Sequence, residues 1–190
     1  ADDPRDPFDA LAALAGPSRP RHREGPPFQG GVAGLMAYDL GDRVEALGLA
    51  RHDGWPDLAC ARYPNLLAFD HLNRRLLAIG QDAEGARRAA GWLSQSAAPP
   101  APRPIRLEPD DPEAYECAVA QVTGRIAAGE IFQANIARRW LGRLPAGAKP
   151  FDLLATLAAD SPAPFAAYLR LADRAVVSNS PERFLQVTAR

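Results

Sequence analysis

The chain has 190 residues, 47% of them hydrophobic and 24% charged, and its acids and bases nearly cancel to a formal net charge of -1. That is the composition of a soluble globular protein, one domain or a large piece of one, long enough to bury a core without metal or disulfide staples. Near-neutral charge argues against nucleic-acid binding driven by bulk charge, and no apolar run approaches the roughly 18 to 20 residues of a membrane span.

In chain order, the pattern predicts a short helix over Phe8 to Ala15, followed by a loop crowded with Pro, Gly and Arg. Gly30 to Asp39 reads as a strand whose small residues let another backbone or a ligand approach closely. A brief helix is expected at Asp42 to Leu47. Asp57 to Gly80 reads as strands with a hairpin, Leu66 to Phe69 and Leu76 to Ile79, turned at His71 to Arg75. Ala83 to Ser96 is a predicted helix, and the prolines of Ala97 to Pro104 mark an internal boundary or a surface connection.

Beyond it, Asp111 as N-cap and Pro112 at the first helical position open a helix. Tyr115, Ala118, Val119, Val122 and Ile126 form its apolar stripe, and Gly129 ends it. Ile131 to Leu144 reads as a long strand, with Phe132, Ala134 and Ile136 on one face and Gln133 and Asn135 on the other. A helix over Phe151 to Ala159 is stopped by Ser161-Pro162-Ala163-Pro164. Phe165 to Leu171 and Ala175 to Asn179 form a hairpin, and Phe184 to Thr188 opens another strand. Hairpins mixed with helices argue for an α+β fold.

Generic chemical signals are weak. The acidic start ADDPRDPFD is not a signal peptide, and Cys60 and Cys117 fit no metal spacing and suggest no disulfide framework, which leaves a cytoplasmic enzyme or binding domain. Gly30-Gly31-Val32-Ala33-Gly34 lacks the ending of a phosphate loop, and His22, His52 and His71 have no carboxylate or cysteine at ligand spacing. Asp110, Asp111 and Glu113 fit helix capping, and Arg138-Arg139-Trp140 is either a solvated strand edge or a small anion-binding or stacking site. Only Lys149 could serve as a lysine nucleophile within the chain.

Four segments together are more specific: FQGGVAGLMAYDLGDRVE (28–45), DLACARYPNLLAFDHLNRRLLAIG (57–80), YECAVAQVTGRIAAGEIFQANIARRW (115–140), and SPAPFAAYL with SNSPERFLQV (161–187). From about Phe28 to Arg190 the chain resembles the chorismate-utilising enzymes. It looks most like their aminodeoxychorismate synthase component I branch, on Tyr38-Asp39-Leu40, Gln133-Ala134-Asn135-Ile136 and Ser180-Pro181-Glu182-Arg183-Phe184. Anthranilate synthase component I is the close alternative. A noncatalytic module that docks a glutaminase or holds an effector is a third reading.

The resemblance implies an anthranilate synthase component I-like α+β fold, with β-sheets packed face to face and covered by helices, only part of it present. The expected divisions are a loop-rich segment 1–27, a first part of the fold at 28–97, a proline-rich connection at 98–110, and a helix–strand part at 111–190. It also implies that chorismate is aminated at C4 to 4-amino-4-deoxychorismate, for folate and p-aminobenzoate synthesis, with ammonia from a glutamine amidotransferase. A lysine attacks C2 while a glutamate protonates the departing C4 hydroxyl; Glu182 matches that glutamate. The lysine's Pro-Ile-Lys-Gly-Thr motif, the Mg2+-binding glutamates and a catalytic histidine are expected beyond Arg190, so no metal ligand is expected in this chain and the chain alone is expected to be inactive. Pro162, Ala163, Pro164, Phe165 and Ala166 match a segment that lines a tryptophan effector pocket in relatives, or else form a rigid connection with Phe165 in the core; the Leu-Leu-Glu-Ser element of that pocket is missing.

Overall fold

The computed structural model describes residues 5–49, 54–95 and 104–187. The chain separates into two compact units, residues 1–98 and 99–190. In the first, helix α1 (Pro7–Ala15) is capped by Asp6, whose carboxylate accepts from the Phe8 and Asp9 amides. Strand β1 (Gly31–Met36) pairs antiparallel with β2 (Leu58–Tyr63), and β3 (Asn65–Asp70) with β4 (Arg75–Gly80). The close approach expected of the glycine-rich strand is made by backbone: a Cβ on Gly34 would collide with Ala59 and Cys60 of β2.

Helix α2 (Ala83–Gly91) lies on the β3–β4 hairpin. A Cβ at Gly80 would run into the backbone of Gly85 and Ala86, and one at Gly85 into the Asn65 side chain. Glycine at both positions is therefore what lets the helix sit flush, and Ala89 on the same helix is fully buried.

Three boundaries in this unit differ from expectation. The strand expected over Gly30 to Asp39 stops at Met36, and Tyr38 and Asp39 belong to a 3-10 helix. The helix expected at Asp42 to Leu47 forms earlier, as a 3-10 helix over Tyr38–Arg43. Asp42 accepts from the Leu47 and Gly48 amides, closing a loop where a helix would need those amides paired to carbonyls. The Ala83 to Ser96 helix breaks after Gly91 into a 3-10 turn at Trp92–Ser94, with the Ser94 hydroxyl donating to the Gly91 carbonyl. Ser96 and most of the Ala97 to Pro104 connection lie outside the described residues.

In the second unit, β5 (Leu107–Pro109) pairs with β6 (Trp140–Gly142), and helix α3 (Pro112–Ala127) runs between them. Asp111 caps α3 by accepting from the Ala114 amide at 2.9 Å, and Gly129, at φ +76°, turns the chain out of it. Asp110 pairs with Arg139, and Arg138 stacks on Trp140 and Tyr115 at 4.8 and 5.4 Å. The charged cluster and the Arg138-Arg139-Trp140 motif thus clip the start of α3 to the strand that follows it.

The long strand expected over Ile131 to Leu144 is reduced to β6. Only three residues find a ladder partner, in β5, and the Arg139 carbonyl accepts from the Asp110 amide just beyond them; the stretch 131–138 has no strand partner among the described residues, and Phe132 is 92% exposed. The strand expected at Phe184 to Thr188 is likewise absent over 184–187, and Thr188 lies outside the described residues. An alternating pattern marks a segment able to join a sheet, but a strand exists only where another edge accepts its hydrogen bonds.

Helix α4 (Pro150–Asp160) packs on the hairpin of β7 (Phe165–Leu171) and β8 (Arg174–Ser180). Phe151 meets Tyr168 edge to face, centroids 5.2 Å apart. Helices laid on antiparallel hairpins make an α+β fold. Among the described residues only Leu40 and Ala89 are buried apolar side chains, so most helix and hairpin faces are open.

Candidate active site and effector segment

The site rests on how α4, β7 and β8 meet. Helix α4 opens with Pro150 at its first position and Asp152 accepting from the Lys149 amide at 2.7 Å. It closes at Ser161, whose amide donates to Leu157. Two prolines follow, and they cannot extend a helix. A turn from Ala163 to Ala166 then redirects the chain into β7, the Ala166 amide donating to the Ala163 carbonyl at 3.2 Å.

The register of the hairpin sets Phe165 opposite Ser180 and Ala166 opposite Asn179. The Pro162–Ala166 segment and the Ser180–Phe184 motif therefore lie side by side, although 13 residues separate Ala166 from Ser180. Two side-chain contacts reinforce the pairing. Asn179 Nδ2 donates to the Ser161 carbonyl at 2.7 Å, and its Oδ1 is buried without a partner. The Arg183 guanidinium lies over the Phe165 ring, 5.1 Å from its centroid.

Glu182 stands on the turn that leaves β8. The Ser180 hydroxyl donates to the Glu182 carbonyl at 2.9 Å and accepts from the Glu182 amide at 3.4 Å. A single hydroxyl thus closes a small ring around Pro181, which has no amide of its own to donate. The Glu182 carboxylate is exposed and has no side-chain hydrogen bond or ion pair among the described residues. The turn that carries it is held by the backbone ring and by Arg183 docked on Phe165.

Phe165 is 37% exposed and serves as the platform for Arg183. Neither the Arg183–Phe165 stack nor the Asn179–Ser161 bond follows from the motifs as read. Both become visible once the two-residue turn at Ala172–Asp173 fixes the register between Phe165 and Ser180.

Lys149 begins α4 while the site lies at its other end. Eleven helical residues span about 16 Å, too far for Lys149 to share a substrate atom with Glu182 across its own helix. Among the described residues no group of three His, Cys, Asp or Glu side chains could hold a metal ion.

The chain is similar to known proteins along nearly its whole length. Residues 2–190 match the family described as chorismate binding enzyme. The chain is 35% identical over 199 residues to anthranilate synthase component 1 of Thermus thermophilus, covering 98% of this chain and 43% of that protein. It is equally 35% identical over 174 residues to aminodeoxychorismate synthase component 1 of Escherichia coli, covering 88% of this chain and 37% of that one. Its fold is that of the crystal structure of anthranilate synthase component I from Streptococcus pneumoniae, with a TM-score of 0.73 at 24% identity over 95% of this chain and 44% of that one. The chain thus spans about two-fifths of the length of these relatives. With both motif segments in one place and the family match running along nearly its whole length, the chain belongs to the chorismate binding enzymes.

Proposed function

We propose that this chain is part of a component I enzyme that aminates chorismate at C4, giving 4-amino-4-deoxychorismate, with ammonia supplied by a glutamine amidotransferase. The observation that carries the reading is the Ser180–Arg183 turn, which holds an exposed carboxylate at the edge of a hairpin, free of any ion pair among the described residues. Hydroxide is a poor leaving group, so the C4 hydroxyl must take up a proton as its C–O bond breaks. The Glu182 carboxyl donates that proton, the hydroxyl leaves as water, and Glu182 is left as the carboxylate. Serving as an acid near neutral pH requires burial or a second carboxylate around Glu182, which further protein or the bound substrate would supply. On this reading the lysine that attacks C2 and the ligands for magnesium come from protein beyond these residues, and the 190-residue chain alone turns over no chorismate.

The test is product analysis. The full-length protein, given chorismate, ammonium and magnesium, should form 4-amino-4-deoxychorismate, and Glu182→Gln should remove most of that activity while the fold persists. Near-normal turnover by Glu182→Gln would remove the acid assignment. Formation of anthranilate with release of pyruvate would favour the second reading, amination at C2, which the 35% identity to the Thermus thermophilus anthranilate synthase component 1 supports. In either branch, we assign Pro162, Ala163, Pro164, Phe165 and Ala166 to one wall of an effector site for an aromatic amino acid such as tryptophan. Calorimetry with tryptophan on the full-length protein tests this, and binding unchanged by Phe165→Ala would refute it.

A further inference from the structure

In the first unit lies a cleft of about 810 Å³ that the amination reading does not use. Its walls are the proline-rich loop after α1, the end of β2 and the hairpin strand β4. Arg19, Arg21, Arg62 and Arg75 line it, with His22, against the single carboxylate of Glu24. The chain as a whole carries a net charge of -1, so this concentration of guanidinium groups is local and not a consequence of bulk composition.

The loop is built rather than loose. Gln29 accepts from the His22 amide at 2.9 Å and donates to the His22 and Pro26 carbonyls at 2.8 and 3.1 Å. Arg21 donates to the Pro27 carbonyl, and Pro17, Pro20, Pro26 and Pro27 stiffen what remains. Much of the ordering cost of a binding loop has thus been met by folding.

The donors on offer define the ligand. Neutral donors such as Ser18 and Gln81 line the cleft too, but its positively charged donors are the four arginines. Arg75 stands opposite Asp70 in the hairpin register and Arg21 is partly engaged, whereas Arg19 and Arg62 have no ion-pair partner among the described residues. Guanidinium forks match carboxylate and phosphate oxygens in pairs, and a concave site focuses their field. The volume falls within the range of small-molecule sites and is too large for a bare inorganic anion; Phe28, Leu77 and Ile79 add apolar wall.

We propose that this cleft binds a small organic anion carrying two or more negative charges, as carboxylates or a phosphate, on an apolar body. The proposal stands apart from the chemistry at Glu182. Calorimetric titration of the full-length protein with isophthalate and with phenyl phosphate tests it, benzyl alcohol serving as neutral control. Saturable binding with Kd below about 1 mM for at least one anion and none for the alcohol is expected. Arg19→Gln and Arg62→Gln should each weaken binding about tenfold without changing the circular dichroism. The tighter of the two probes tells carboxylate from phosphate recognition. Absence of saturable binding by both anions overturns the proposal, as does binding that is indifferent to both substitutions or equally strong for the alcohol.

Discussion

The contact between Phe165 and Arg183 is the point at which the two motif segments can be tested as one unit. Phe165→Leu keeps an apolar side chain of similar reach but removes the ring face; Arg183→Gln keeps length and polarity but removes the charge. A cation stacked on an aromatic ring at an exposed site contributes about 0.5 to 1 kcal/mol, and the 5.1 Å separation with Phe165 at 37% exposure belongs to that class. Each single substitution also disturbs other contacts, so the coupling is read from the double-mutant cycle and not from either variant alone. Urea unfolding of the four proteins should give a coupling of about 0.5 to 1 kcal/mol, with the double variant less destabilised than the sum of the singles. Additivity within about 0.3 kcal/mol would mean that the stack makes no net contribution in solution, and the argument that it orients Glu182 would fail. In the full-length enzyme, on the amination reading, the same two substitutions should lower kcat about tenfold or more, since small misplacements of an acid are costly. A change confined to KM would count against an orienting role.

Three further outcomes follow from the structure. Glu182→Gln should reduce kcat of the full-length enzyme by about 10² to 10⁴ while leaving its urea midpoint in place. Gly80→Ala should destabilise the first unit by about 1 to 3 kcal/mol in urea unfolding, because the added methyl meets backbone that cannot rotate away; a neutral result would show that α2 does not sit flush on β4. Burial pushes the Cys60 thiol up from its ordinary range, so a disulfide reagent at pH 8 should modify exposed Cys117 well before Cys60, and the reverse order would contradict the placement of Cys60 in β2.

How much of this was legible in the sequence depended on whether a signal was local. Asp111 with Pro112 and Gly129 framed α3 almost to the residue, because caps and their partners lie within one turn. The hairpins were similarly readable: apolar runs flanking His71 to Arg75, and flanking Ala172 and Asp173, left little choice of register. Ile131 to Leu144 failed for the opposite reason. Its alternation was real, but whether Phe132 sits in a sheet is decided by a distant edge that no local pattern encodes. The helix expected at Asp42 to Leu47 gives way to a loop because the Asp42 carboxylate takes the Leu47 and Gly48 amides, a competition that the run of residue types does not reveal. Glu182 and Pro162 to Ala166 were read as separate features, and only the register of β7 against β8 joins them.

The same strand connectivities carry a kinetic consequence. Strands β3 and β4 are joined by four residues, and β7 and β8 by two, whereas β5 must wait for β6 across the whole of α3. Hairpins with short loops close in about 1 to 10 μs, and longer loops carry a larger closure entropy before any contact repays it. The β7–β8 pair should therefore assemble early and the β5–β6 pair late. Ser180 ends that early hairpin and Pro181 to Arg183 directly follow it, so the turn that carries Glu182 inherits its place from one of the first pieces of the chain to fold.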